Sequence, residues 1–405
     1  MSKLNKLIQE LCPNGVEYRK LGEVCEFQRG QTITAKDAVS GEIPVLAGGQ
    51  KPAYYHNIAN RTGRTIVVAG SGAYAGYVSY WETPIFVSDA FSVNPFDVLH
   101  EKFLFYFLKN IQSKIYATKK GSGVPHVHGS SIAKFEIPLP PLPIQEEIVK
   151  ILDRFAEYTA ELQAELQAEL QARKEQYEYY RNLLLTNNFA YGSADDKQKI
   201  TGNARDEWKW MTLGEVGTFT RGKRFVRTDI VEDGVPCIHY GDMYTYYGLY
   251  ATKSKGMLRN DLASKMRYAQ KNDVVIVAAG ENKEDIGIGM AWLGDEPAAV
   301  HDACFIFKSN LYPQYVSHYL RTNYYHKQIV KHVLEGKICS ISAKGLEKAF
   351  IPIPPYDEQV RIATLLDKFE ALVSDLTQGL PAEIAASQER YEYYRDKLLR
   401  FERCN

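Results

Sequence analysis

Apolar positions along the chain follow two rhythms. Short runs rich in β-branched and aromatic residues, TIVVAG (65–70), YVSYW (77–81), PIFVS (84–88) and DVVIVAAG (273–280), predict strands. Apolar residues three and four apart in FLFYFLKNIQSKIYA (103–117) and YVSHYLRTNYYHKQIVKHV (315–333) predict one solid helix in each of two globular regions. The opening MSKLNKLIQELCPNG reads as a short amphipathic helix that stops at Pro13-Asn14-Gly15. The longest helical pattern runs through Ile148, Leu152, Phe155, Thr159, Leu162 and Leu166, whose steps of 4, 3, 4, 3 and 4 are those of a coiled-coil seam. The globular regions are therefore α+β, each with a twisted, mostly antiparallel sheet.

The same phrases occur twice. IPLPPLPIQEEIVKILDRF (137–155) returns as IPIPPYDEQVRIATLLDKF (351–369), shifted by 214 residues without a gap. At that shift Tyr177-Glu178-Tyr179-Tyr180-Arg181 becomes Tyr391-Glu392-Tyr393-Tyr394-Arg395, and Leu184-Leu185 becomes Leu398-Leu399. The starts of the globular regions correspond at a shift of 192, KLGEVCEFQRGQ (20–31) with TLGEVGTFTRGK (212–223). Weaker echoes join IVVAGSG (66–72) to IVAAGEN (276–282) and VSDAF (87–91) to VHDAC (300–304). The chain is an internal duplication. Its order is globular region (1–143), helix (144–187), globular region (188–356), helix (357–405), and the second globular region has gained about 22 residues.

Each helix opens after a proline cluster, Pro138/Pro140/Pro141/Pro143 and Pro352/Pro354/Pro355, where proline ends a strand and is tolerated at a helix start. In the first helix the seam enters AELQAELQAELQAR (160–173), where Leu162, Leu166 and Leu170 step by 4 and 4. Four residues turn about 400°, so the seam drifts roughly 40° per repeat, a stutter that locally unwinds a supercoil. The matching stretch of the second helix, DLTQGLPAEIAA, should kink or break at Gly379 and Pro381. The seam residues Ile148, Leu152, Phe155, Leu162, Leu166, Tyr177 and Tyr180 have second-half counterparts in Leu366, Phe369, Tyr391 and Tyr394. They are helix-packing candidates, with a partner-binding surface as the alternative for the aromatics.

Composition narrows the class. At 45% hydrophobic and 24% charged residues the chain is globular, and it has no apolar run of the roughly 18 residues a membrane span needs. The opening lacks the apolar stretch of a signal peptide. Six scattered cysteines without a CxxC suit reduced thiols in a cytoplasm better than a zinc cluster. Net charge is zero overall, yet unevenly spread: +4 over 1–144 and +2 over 186–357, against −4 over 145–185 and −2 over 358–405. Mildly basic globular regions thus alternate with acidic helices, which permits DNA contact by the former and protein contact by the latter.

Motifs for catalysis are sparse. Gly70, Gly72 and Gly76 follow a strand, but YVSYW and not a helix follows them, so a turn is expected in place of a dinucleotide or S-adenosylmethionine loop. VNPF (93–96) lacks the second proline of an adenine-methyltransferase motif. His126 and His128 share one strand face without a patterned third ligand, so no metal site is expected. What remains is a set of loops mixing Gly, Arg/Lys and amide or aromatic residues. The first region offers Arg29, Gln31, Gln50, Lys51, Arg64, Lys119 and Lys120, and the second Arg221, Lys223, Arg224, Asn282 and Lys283. Arg and Lys reach phosphates and guanine edges and Gln and Asn pair with adenine, which makes these the DNA-binding candidates. The loops differ between halves while the frame matches, so each half is expected to read a different sequence.

PLPPLPIQEEIVKILD with YEYYRNLLL, IPIPPYDEQVRIATLLD with YEYYRDKLL, and the paired LGEV…RG starts resemble the specificity subunits of Type I restriction–modification systems. The resemblance covers the whole chain. It implies two target-recognition domains, each reading half of a split double-stranded DNA site, and two long helices packed as an antiparallel coiled coil with an internal pseudo-two-fold repeat. It further implies docking of two modification (methyltransferase) subunits and of restriction (translocase–nuclease) subunits. S-adenosylmethionine, ATP and magnesium would belong to those partners, leaving this chain without cofactor or catalysis. A subunit serving a fused restriction–methylation enzyme, and a scaffold that binds no DNA, are the alternatives. On the resemblance, helix length becomes a ruler: one ELQA unit adds about 6 Å, comparable to about 2 base pairs of DNA.

Overall fold

The computed structural model describes residues 3–121, 123–186, 208–374 and 379–404, and it divides into two compact units, Met1–Leu166 with Glu383–Asn405, and Gln167–Ala382.

In the first unit, strands Cys25–Arg29, Ala90–Pro95, Thr65–Ala69 and Val78–Trp81 form an antiparallel sheet in that order. A second sheet sets Ile43–Leu46 between antiparallel Tyr54–His56 and parallel Phe86–Val87. Strand Thr65–Ala69 is buried along its whole length, because Ile66 and Val68 face one core and Val67 another. Burial on both faces explains an apolar run without alternation. The larger core takes Phe103, Leu104 and Leu108 from helix Glu101–Asn110, and also Ile144, Ile148 and Leu152 from the first turns of the long helix Leu142–Thr186. The early seam residues therefore serve the globular core as well as the helix pair.

The second unit repeats this plan with additions. Gly217–Arg221, Cys304–Ser309, Val274–Val277 and Gly289–Trp292 run antiparallel, and Tyr250–Ala251 adds a parallel edge strand. In its second sheet Val235–Ile238 pairs parallel with Ala298–Val300, as Ile43–Leu46 does with Phe86–Val87. The sheets are thus mostly antiparallel, with a parallel pair at the same place in each unit.

Three expected helices are subdivided. The 103–117 pattern breaks at Ile111 into Glu101–Asn110 and Gln112–Tyr116. The 315–333 pattern becomes Pro313–Tyr319, Asn323–Ile329 and a 3-10 turn at Val330–His332. There the Thr322 hydroxyl accepts the Tyr325 amide at 3.2 Å, so a helix cap restarts the chain where apolar spacing alone continued it. The C-terminal pattern forms Tyr356–Ser374 and Leu380–Leu399, with Pro381 in the first turn, where its missing N–H costs little.

Each unit takes the start of one repeat's helix and the end of the other's. In the first, Phe155 meets Tyr394 at 5.8 Å and Gln163 donates to Ser387 at 3.2 Å, so the two helical segments run antiparallel. In the second, Tyr180 stacks on Phe369 at 5.7 Å. Arg395 lies over the Tyr391 ring in one unit and Arg181 over Tyr177 in the other, at 5.4 and 5.0 Å.

Candidate nucleic-acid interface

The repeated Arg-Gly and Asp-Ala phrases meet in space. In the first unit the Gly30 amide donates to Ala90 O at 2.9 Å and the Gln31 amide to Val87 O at 2.9 Å. In the second, Gly222 donates to Cys304 O at 3.0 Å and Lys223 to Val300 O at 2.9 Å. A Cβ on Gly30 would lie 2.3 Å from the Ser88 carbonyl oxygen, and one on Gly222 would lie 2.3 Å from that of His301. Glycine is required at both because two backbones touch there. An arginine outside the repeated phrases holds each strand end: Arg61 donates to Arg29 O at 3.1 Å, and Arg267 to Arg221 O at 2.6 Å.

Beside each junction lies a cleft. The first is lined by Arg29, Gly70, Asp89, Phe91, His126 and His128. The second is larger, with Arg224, Phe225, Arg227, His239, Tyr240, Gly280, His301, Asp302 and Lys337 on its walls. The parallel strand pair Val235–Ile238 and Ala298–Val300 leads into it. Cys237 pairs with Ala299 and Ile238 with Val300, so the next residues, His239 and His301, emerge side by side with ring centroids 4.8 Å apart. The Gly241 amide donates to His239 Nδ1 at 3.2 Å and the Ala303 amide to His301 Nδ1 at 3.0 Å. Burial, with His301 and Arg227 nearby, pulls His239 down to about 4, and burial also lowers His301 against the opposing pull of Asp302. Both imidazoles are neutral at pH 7. In the first unit Val45 pairs with Phe86 and Leu46 with Val87, so the corresponding residues are Ala47 and Ser88. One scaffold thus carries Ala and Ser after the parallel pair in one unit, and in the other a histidine pair that lines the cleft.

The proposed contacts divide between cleft and elsewhere. Arg29 and Arg224 line the clefts, and exposed Gln31 and Lys223 follow directly on the two junctions. Arg221 donates to Asp302 O at 2.8 Å and remains exposed at the rim. Lys120 exchanges backbone hydrogen bonds with cleft residue His126, and Lys119 donates to Ala73 O at 3.0 Å while covering the Tyr116 ring. Gln50 and Lys51 are exposed on a turn whose Gly48 abuts Ser71, beside the cleft. Arg64 lies at the opposite end of strand Thr65–Ala69 from Gly70 and approaches Glu82 at 3.8 Å, away from the cleft. Asn282 donates to Asp285 of its own loop at 3.0 Å and Lys283 pairs with Glu335 of a neighbouring loop, so both are engaged within the unit.

Among the helix candidates, Ile148, Leu152, Tyr177 and Leu366 are buried, Leu162, Leu166, Tyr180, Phe369 and Tyr391 half-buried, and Phe155 and Tyr394 exposed.

The glycine loop is a turn: Gly72 and Gly76 have φ of 82° and 87°, and the chain returns as Val78–Trp81 without entering a helix. His126 and His128 stack at 6.4 Å, and no cluster of three or more metal-ligating side chains occurs among the described residues. Burial pushes the Cys25, Cys237 and Cys304 thiols up to about 12, which makes them unreactive packing groups. No helix is long and apolar enough to cross a membrane among the described residues. His239, His301 and Arg267 escape sequence reasoning, while Arg61 belongs to the RTGR loop (61–64) expected at the DNA and is spent on the fold. A signal existed for His301 alone, because VHDAC echoes VSDAF and differs from it at that position, but nothing in either phrase pointed to His239 or to the pairing.

Two clefts on one duplicated scaffold, lined by different side chains, define a two-site recognition subunit. The chain belongs to the family of Type I restriction–modification DNA specificity proteins, whose specificity-domain model matches residues 13–172 and again 205–386. It is the specificity subunit of such a system, the non-catalytic component responsible for DNA recognition. S.HindORF215P of Haemophilus influenzae, named as a type I restriction enzyme specificity subunit, is 32% identical over 95% of this chain and 96% of its own. The EcoR124I/EcoR124II specificity subunit of Escherichia coli is 28% identical over 99% of this chain and 97% of its own. Among solved structures, a chain from work on complex assembly and conformational transition of the type I system shares the fold, with a TM-score of 0.68. It is 18% identical and covers 96% of this chain and 98% of itself. The HsdS subunit from Thermoanaerobacter tengcongensis is similar at a TM-score of 0.53, 18% identity and 96% and 97% coverage.

Proposed function

We propose that residues 1–143 and 188–356 are two target-recognition domains that each read one half of a split double-stranded DNA site, with 144–187 and 357–405 as the spacers between them. The observation that carries this is the pair of clefts at one position of a repeated frame with unlike walls. Arg29, Arg221, Lys223 and Arg224, with Gln31, Gln50, Lys51, Lys119 and Lys120, supply the phosphate and base contacts. Arg64, Asn282 and Lys283 are the weakest members of that set, being remote or engaged. Two modification subunits dock on the helical segments and restriction subunits complete the assembly. S-adenosylmethionine, ATP and magnesium are held by those partners. The work takes place in the cytoplasm, where the scattered thiols stay reduced.

The test is long-read sequencing of adenine methylation in cells that express this chain with its modification subunit, against cells lacking it. A split motif with a fixed gap that depends on the chain supports the reading. A complex that forms yet leaves no chain-dependent motif overturns it in favour of a scaffold.

A further inference from the structure

We infer that His239 is a specificity-determining residue of the second domain and donates a hydrogen bond from Nε2 to a guanine in its half-site. This rests on the reading of the cleft as a DNA-reading surface. The residue is 6% exposed, and the Gly241 amide donating to Nδ1 at 3.2 Å makes that nitrogen an acceptor. The ring proton therefore resides on Nε2. Among the described residues Nε2 has no hydrogen-bond partner, and it is not one of their enclosed polar atoms, so on the wall of the open cleft it is free to donate to a ligand. The low proton affinity imposed by burial keeps the ring neutral, so it is a single directed donor and not a diffuse positive charge.

The neighbours narrow the ligand. Arg224 and Lys337 add donors to the cleft, which suits a base edge made of acceptors. Guanine presents N7 and O6 together in the major groove, whereas adenine sets a donor beside N7, cytosine presents a donor, and thymine offers O4 alone beside a methyl group. Glu281, an exposed acid on the same cleft, fits the N4 donor of the paired cytosine. Asp302 does not carry the difference between the domains, because Asp89 occupies the corresponding place in the first cleft. Ala47 holds the position of His239 in the first domain, which predicts that no equivalent contact is made there.

Three variants, co-expressed with the modification subunit, test this by methylation sequencing: His239→Ala, His239→Asn and His239→Gln. Glutamine can place its amide N–H where Nε2–H stood, whereas asparagine reaches only the Nδ1 position. The expected result is a G·C pair in one half-site whose preference falls about tenfold or more in the alanine and asparagine proteins and persists in the glutamine protein. The other half-site stays unchanged. A motif unaffected by His239→Ala, relaxation at a pair other than G·C, or asparagine and glutamine proteins that behave alike would each overturn the assignment. If His239→Ala fails to assemble, the asparagine–glutamine comparison decides alone. A wild-type complex without a chain-dependent split motif would instead sink the DNA-reading proposal beneath it.

Discussion

Gln145 and Gln359, 214 positions apart, close the same junction in each repeat. Gln145 Oε1 accepts the His100 amide at 2.7 Å while its Nε2 donates to Pro140 O at 2.7 Å. Gln359 Oε1 accepts the Tyr312 amide at 2.9 Å and its Nε2 donates to Pro354 O at 2.9 Å. The two side chains are 0% and 3% exposed. Each ties the proline segment that starts a helix to the residue that precedes or caps the domain's own helix. Asp153 and Asp367 repeat the theme about two helical turns further along: Tyr106 donates to Asp153 at 2.6 Å, and His318 Nε2 lies 2.8 Å from Asp367.

Replacing either glutamine by leucine should therefore loosen one helix root. Each change strands a backbone N–H and a proline carbonyl, and at Gln145 the Val98 carbonyl as well, at about 1–3 kcal/mol per buried orphaned group. Denaturant unfolding of Gln145→Leu and Gln359→Leu proteins should show losses of about 2–5 kcal/mol. Values under about 0.5 kcal/mol, the size of an ordinary surface change, would mean the junction is solvated.

Gly30→Ala and Gly222→Ala should each disturb one recognition cleft. The added methyl would meet carbonyl oxygens at 2.3 Å, so the strand end must shift away from the Asp-bearing turn. In methylation assays the two variants should degrade opposite half-sites of the motif. Equal effects of both variants on both half-sites would count against independent domains.

Acid should destabilise the protein through its buried histidines. Burial lowers His100, His239, His301, His318 and His326 below the ordinary imidazole range, His239 to about 4. The unfolded chain takes up these protons near pH 6.5 while the folded one resists, so stability is complete above that pH and falls towards pH 4. A thermal midpoint that drops steadily from pH 7 to pH 5 is expected. A flat or rising midpoint over that range would show the imidazoles to be charged in the fold.

How much of this was legible depended on sequence distance. The duplication, the proline-started helices and the break at Gly379–Pro381 rest on local spacing, and the structure carries all three. The helix subdivision at Thr322 was hidden because a cap uses one hydroxyl and leaves the apolar rhythm intact. The histidine pair was hidden for a different reason. Residues 239 and 301 become neighbours only through a parallel ladder, whose register pairs Cys237 with Ala299, 62 positions on, and is set by no periodicity in either strand. Likewise Arg61 and Arg267 look like loop cations available to phosphate, yet both spend donors on the backbone of a neighbouring strand.

The ELQA repeat gives the most direct test of the helical spacer. Leu142–Thr186 is one uninterrupted helix of 45 residues, and the division between the two compact units falls inside the repeat, after Leu166. Its side chains there are mostly exposed or half-buried, and none lines either of the two junction clefts. Deleting Glu165–Ala168 removes about 6 Å of helix and about 40° of rotation beyond a full turn. Since base pairs stack at roughly 3.4 Å per strand step, the unread gap of the methylated motif should shorten by one or two base pairs. Both half-sites should keep their sequences, because no residue at either junction or cleft is touched. Methylation sequencing of the deletion variant reads gap and half-sites together. An unchanged gap would show that the helix does not measure the spacing, and altered half-sites would show that the deletion had reached the recognition domains.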